Sequence, residues 1–338
     1  MALRALGWFW ASVIGLLAIG GIVLQVLGPP APKMARVVPA PKPVTPSLPS
    51  APPPPIRSSV PGRAVPAGWN GQVAAPDPAL LEAAPGEAAA MLPRISAAGV
   101  MPMQAYARPF DAADPRPRVA IIVAGIGLSD ADSRRAIETL PPGVDLAMSA
   151  YAANPAALAQ FAREHGHELL LSLPMEPQGY PLNEEGPHAL LTGASAVDNA
   201  KNLTWTLERF AGYAGVTNVS DTMLGERFSG MAEPFGLVTR ALAERGLLFV
   251  DGRAGAPTLT GIAGQTADLV LDDPPARADI EARLASLERS ARANGSALAV
   301  AGLPRPVLLE AIVSWARGLE SRGVVLAPVS AVSHPAAP

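Results

Sequence analysis

From Arg118 onward the sequence predicts an α/β fold, an irregular β/α barrel of seven or eight units. Three observations predict it. Short β-branched runs alternate with amphipathic segments, the pattern of a mostly parallel sheet with helical crossovers. Seven or eight such units fit into about 210 residues, which suits a barrel better than an open doubly wound sheet. Helix starts carry caps and helix ends carry glycine, so the segments have defined limits.

The elements follow in order. "VAIIVA" (119–124) is the first strand, and Ser129 with Asp130 and Asp132 opens the next helix in the manner of a capping box. "VDLAMSA" (144–150) is the second strand. Asn154-Pro155 then supplies an N-cap and a first-turn proline, Leu158, Phe161 and Ala162 face inward, and Gly166 ends the helix. "ELLLSL" (168–173) is the third strand, and Ser195 with Asp198 starts a helix carrying Leu203, Leu207 and Phe210. "GVTNV" (215–219) follows as a strand, then a helix over 233–245 stopped by Gly246, then "LLFVD" (247–251). "ADLVLD" (267–272) reads as one strand, succeeded by a helix with Ile280, Leu284, Leu287 and Ala291. "SALAVAG" (296–302), a helix over 306–322 and "VVLAPV" (324–329) complete the set.

The 338 residues allow one such domain with appendages. A net charge of -3 provides no basic stripe, so nucleic acid is not an expected partner. Cysteine is absent, which removes disulfides and thiolate chemistry. Residues 5–27 are uncharged and, at about 1.5 Å per residue, span roughly 34 Å as a helix, enough for a bilayer. That run is longer than the apolar core of a cleavable signal peptide, so a transmembrane signal anchor is expected. Trp8 and Trp10 suit an interfacial belt. Residues 28–117 hold 22 of the 38 prolines and read as a Pro/Ala-rich disordered linker, with a possible packing strap over 78–108. The domain proper is expected over 118–332.

Barrel chemistry is expected at the C-terminal ends of strands. Dinucleotide binding is disfavoured there, because Gly125-x-Gly127 is followed by Asp130 at the third fingerprint position. No Gly-x-Ser-x-Gly elbow occurs. His165 and His167 fall at the wrong end of a strand, His334 lies in a Pro/Ala tail, and His188 alone is placed to reach a cleft. Asp251 and Asp273 are the candidates for a hard cation, against an alternative reading as turn and cap aspartates.

The order "VAIIVAGIG", "GHELLLSLPMEPQGYP", "GVTN", "GLLFVDGR", "LVLDD", "NGSALAV" and "GVVLAPVS" resembles the divergent polysaccharide deacetylase family. These are bacterial relatives of the metal-dependent deacetylases of the NodB-homology type. The resemblance covers about Arg118 to Ser330. It implies an irregular (β/α)7-8 barrel of the polysaccharide deacetylase type, a carbohydrate-related cleft, and an N-terminal membrane segment or signal. It also implies catalytic positions that this sequence has altered. Where active relatives carry paired aspartates, this chain has Ala124 and Gly125; where many carry histidine, it has Ser172; and where a late Gly-His-Pro is common, it reads Gly302-Leu303-Pro304.

The expected protein is therefore a degenerate deacetylase relative that binds rather than hydrolyses. Its cleft candidates are Glu176, Tyr180, Asn218, Asp251 and Arg253. Expected partners are a bacterial envelope glycan or an envelope protein, with the chain held in the inner membrane by one pass and its domain periplasmic or otherwise extracytoplasmic. No cofactor is expected. The alternative is a hydrolase with a rebuilt site, using carboxylates among Glu176, Asp221, Asp251 and Asp273 and a weakly held divalent cation such as zinc.

Overall fold

A computed structural model of the chain describes residues 63–84 and 87–336. The expected anchor over 5–27 and the first part of the linker lie outside the described residues. Among the described residues no helix is long and apolar enough to cross a membrane.

The described part of residues 63–117, proline-rich as it is, carries defined structure because it brings apolar side chains to the barrel. β1 (Leu81–Ala84) and β2 (Glu87–Pro93) form an antiparallel hairpin, followed by the single turn α1 (Pro102–Ala105). Leu80 and Tyr106 are 1% exposed and join the apolar cluster of the barrel interior. This strap crosses the end where strands begin: Val73 N–H donates to Arg163 O, Met103 N–H to Gly246 O and Arg108 N–H to Glu168.

The barrel starts at β3 (Arg118–Ile126), buried along its whole length. A strand covered on both faces reads as a continuous apolar run, which explains "VAIIVA". Alternate residues point to opposite faces. Ala120, Ile122 and Ala124 fill the interior, while Val119, Ile121 and Val123 pack between sheet and helices. α2 (Asp130–Thr139) follows, capped by Ser129 Oγ accepting from Asp132 N–H at 3.3 Å. β4 (Asp145–Ser149) leads to α3 (Pro155–Glu164), whose Asn154 sits at the cap position without making a side-chain bond. β5 (Leu169–Ser172), α4 (Ala196–Leu207), β6 (Gly215–Thr217), the one-turn α5 (Glu226–Ser229) and α6 (Ala232–Glu244) come next. They are followed by β7 (Leu248–Asp251), β8 (Gly264–Thr266), β9 (Leu269–Val270), α7 (Arg277–Asn294), β10 (Ser296–Ala301), α8 (Pro306–Ala316) and β11 (Val325–Leu326). α8 stops short of the expected Arg322, because Gly318 interrupts it before a separate turn over Glu320–Arg322.

Every pairing in the nine-stranded sheet is parallel, in the order β8-β7-β6-β5-β4-β3-β10-β9, with β11 on β3. β8 and β9 stand at opposite ends of that order yet are joined by Ala267 and Asp268 alone. Ala267 N–H donates to Asp251 O at the end of β7, and Asp268 N–H donates to Leu298 O in β10, each at 2.8 Å. One pass of chain thus serves as both ends of the curled parallel sheet, an arrangement that fits an irregular (β/α)7-8 barrel. "ADLVLD" is for that reason two short strands rather than one.

At the floor, Asp145 and Glu168 are wholly buried and hold the returning C-terminal segment. Asp145 Oδ2 accepts from Val329 N–H at 2.8 Å, and Glu168 accepts from Ser330 N–H and from Ser330 Oγ. Burial, together with repulsion from Glu168, holds the Asp145 carboxyl well above the usual carboxylate range. Burial pushes Glu168 up to about 7, against the hydrogen bonds from Ser330 and Arg108. The unfolded chain releases the Glu168 proton near 4.5, whereas the folded chain keeps it to about 7. Between those values the folded state binds more protons, so stability falls as pH rises through that window. Thermal melts between pH 4.5 and 8 should show this decline, at most about 1.4 kcal/mol per pH unit for one proton. Glu168→Gln should remove its share of the decline and leave the share that the raised Asp145 carboxyl adds. A wild-type slope of the opposite sign would refute the buried-proton account.

Candidate functional site

The C-terminal ends of the strands form the mouth of the barrel, where the altered positions meet. Ala124 is buried in the interior, and Ser172 Oγ is enclosed there without a hydrogen-bond partner among the described residues. Gly125 has φ +70°, and a β-carbon on it would lie 2.8 Å from Leu303 Cδ2. Leu303 therefore fills the space that a side chain at 125 would need. Gly302 is pressed still closer, since a β-carbon there would overlap the Asp221 carbonyl oxygen. The segment from Val219 to Leu224 thus crosses the mouth and rests on Gly302. It is held in shape by Ser220 N–H donating to Met223 O and by Asp221 Oδ1 accepting from Met223 N–H, both at 3.1 Å.

A cavity of about 330 Å³ remains beside this segment, lined by Asp221, Glu226, Asp272, Asp273 and Arg305. Burial raises the Asp272 carboxyl, and Gly302 N–H, which donates to it, pulls the other way. Behind Ser220 lies Glu185, 6% exposed, with Oε1 unbonded among the described residues. Burial pushes its carboxyl up to about 8, with Asp221 and Glu226 adding to the rise and a hydrogen bond from Ser220 opposing it. No motif or spacing marks Glu185 in the sequence, and its role as a buried acid follows only from where the loop places it.

Asn218, Asp251 and Arg253 are brought together as expected candidates, but on the helix side of the wall. Asn218 follows the strand parity of Val216, and Asp251 that of Phe249, both of which pack outward. Asp251 is 1% exposed. Its Oδ1 accepts from Asn218 Nδ2, Arg253 N–H and Arg253 Nε, each at 3.0 Å, and its Oδ2 accepts from Arg253 Nη2 at 2.6 Å. Asn218 Oδ1 in turn accepts from Gly252 N–H at 2.7 Å. Asp251 and Arg253 line a lateral cleft of about 620 Å³ between α6 and the segment 257–261.

The other candidates are elsewhere. Glu176 is a clamp between segments: Oε2 accepts from Thr192 Oγ1 at 2.7 Å, and Oε1 pairs with Arg227 Nη1 at 2.9 Å. Tyr180 is half-buried on the excursion after β5 and lines neither the mouth cavity nor the lateral cleft. His188 does not enter a cleft, because its ring stacks on Trp205 at 3.7 Å. His167 is buried against the carbonyls of Val144 and Ile137.

With this geometry in place, comparison with known proteins decides the family. The model of the family described as "Divergent polysaccharide deacetylase" matches residues 121–333, well over half of the chain. The chain belongs to the divergent polysaccharide deacetylase family. Among solved structures, this family member is similar to uncharacterized protein ATU2773 from Agrobacterium tumefaciens C58, at 37% identity and a TM-score of 0.66. That match covers 72% of this chain and 99% of the other. It is also similar to an uncharacterized protein of Haemophilus influenzae (strain ATCC 51907 / DSM 11121 / KW20 / Rd), 25% identical over 209 residues, covering 60% of this chain and 72% of that protein.

The divalent cation implied by the deacetylase resemblance can be tested against these residues, and they do not fit it. Among the described residues no group of three or more His, Cys, Asp or Glu side chains could hold a metal ion. The two cation candidates do not converge, since Asp251 lines the lateral cleft and Asp273 the mouth cavity. Asp251 also directs both oxygens at Arg253, a cation that a metal would have to displace.

Proposed function

We propose that this member of the deacetylase family is a membrane-anchored envelope protein whose barrel binds a glycan or an envelope protein and does not hydrolyse it. The observation that carries the reading is the Asp251–Arg253 pair. A strand-end carboxylate kept for base or ligand chemistry needs free lone pairs facing the reacting atoms, and this one is spent inside the chain. The mouth segment 219–224 supports it, because it occupies the approach to Ala124 and Gly125. Residues 5–27 would hold the domain at the inner membrane, and the proline-rich segment would let it reach outward.

The test uses the full chain. With Zn²⁺, Co²⁺ or Mn²⁺ added it should release no acetate from acetylated glycan, and it should be retained on insoluble peptidoglycan sacculi. Metal-dependent turnover that disappears in Asp251→Ala would overturn the reading. So would a turnover profile governed by a group titrating near 8 and lost in Glu185→Gln, since Glu185 is a carboxyl that keeps its proton at neutral pH.

A further inference from the structure

We propose that the lateral cleft beside β7 is the ligand site, and that it takes a saccharide bearing a carboxylate. This rests on reading the chain as a binding protein and names where and what it binds. A cleft of about 620 Å³ lies within the ordinary size of a small-molecule site.

Its walls are mixed in the way a sugar ring is mixed, with an apolar face and a hydroxyl-bearing edge. Phe235 and Leu259 supply apolar surface, and Phe235 is fixed by edge-on packing against Phe249 at 5.3 Å and 70°. Thr258 and Thr260 bring hydroxyls to the same space, and Thr239, whose Oγ1 donates to Gly236 O at 3.3 Å, lines it too. Positive charge for one anionic group comes from Arg240, since the charge of Arg253 is balanced by Asp251 and leaves it only a hydrogen-bond donor to offer. Arg253 commits Nε and Nη2 to Asp251, which fixes its plane, and Nη1 has no hydrogen-bond partner among the described residues. Arg240, exposed on α6, also lines the cleft, and among the described residues it forms no hydrogen bond or ion pair. A planar guanidinium locked on one side and open on the other is suited to a carboxylate.

A second, independent observation is Gly236. It lies inside α6, where glycine disfavours the helix relative to alanine. A β-carbon there would meet nothing within 4 Å, so packing within the chain does not require the glycine. The space it leaves opens into the cleft, which Gly236 lines. A ligand that approaches the helix closely accounts for a glycine that the fold itself does not need.

The full chain would be titrated with N-acetylmuramic acid and with N-acetylglucosamine, which lacks the lactyl carboxylate, and binding read by calorimetry. The acid should bind roughly tenfold more tightly, as expected for one added charge-assisted hydrogen bond. Arg240→Gln should abolish most of that preference. Gly236→Ala should raise the melting temperature by roughly 2–4 °C through helix propensity, yet weaken binding. Equal affinity for the two sugars would overturn the carboxylate assignment. Unchanged affinity in both variants, with retention on sacculi intact, would overturn the cleft as the site while leaving the binding function standing. Loss of retention on sacculi by the wild-type chain would instead overturn that function.

Discussion

Arg253→Met should cost about 3–5 kcal/mol of folding stability, the penalty for leaving a buried carboxylate without its counter-charge. The Arg253 side chain is 19% exposed and Asp251 1%, so solvent cannot replace the lost partner as it would at a surface pair. Asp251 would keep only the bonds from Asn218 Nδ2 and the backbone N–H at 253. Chemical denaturation of the full chain measures the loss. The double change Asp251→Asn with Arg253→Met should recover most of it, because the uncompensated charge is gone. A single-variant loss below about 1 kcal/mol would place the pair with ordinary surface ion pairs and remove the argument that Asp251 is committed within the chain.

Gly302→Ala should be the most disruptive small change at the mouth. The new methyl group would overlap the carbonyl oxygen of Asp221, a backbone atom that cannot turn aside as a flexible side chain can. Overpacking of this sort typically costs about 1–3 kcal/mol, and more where backbone must move. The segment from Val219 to Leu224 should lift from the mouth, so hydrogen exchange at the Ser220 and Met223 amides should accelerate far more than exchange in β3. Equal exchange in variant and wild type would show that the segment does not bear on Gly302.

Much of the fold was legible because its determinants are local. A parallel strand buried on both faces must be apolar throughout, so 119–124, 168–173 and 296–302 announce themselves. Ser129 and Ser195 mark helix starts, and in the structure each hydroxyl oxygen accepts from the backbone N–H three residues on. The division of 267–272 into two strands was not legible, since it depends on which neighbours lie to either side of Ala267 and Asp268. At the site, Asn218, Asp251 and Arg253 could be picked out as polar residues at strand ends. That Arg253 folds back on Asp251 could not, because a separation of two residues fits a salt bridge or two independent groups equally well. Asp251 and Asp273 are both strand-end aspartates in sequence, and that they line different cavities depends on which face of the wall each one takes. Glu185 carries no signal in sequence, since its significance lies in burial, and Gly236 shows there only as a glycine inside a predicted helix, without the empty space beside it.

The chain pass from Gly264 to Val270 has a consequence for how this barrel can meet other molecules. An open sheet ends in strands whose unpaired amide and carbonyl groups invite another chain to add a strand, whether as recognition or as aggregation. Here β8 is engaged with β7, β9 with β10, and the two linking amides donate to Asp251 and Leu298. The two amides of the link are thus both occupied, so at this seam recognition falls to side chains and loops. At this seam a partner is chosen by shape and charge rather than by backbone complementarity.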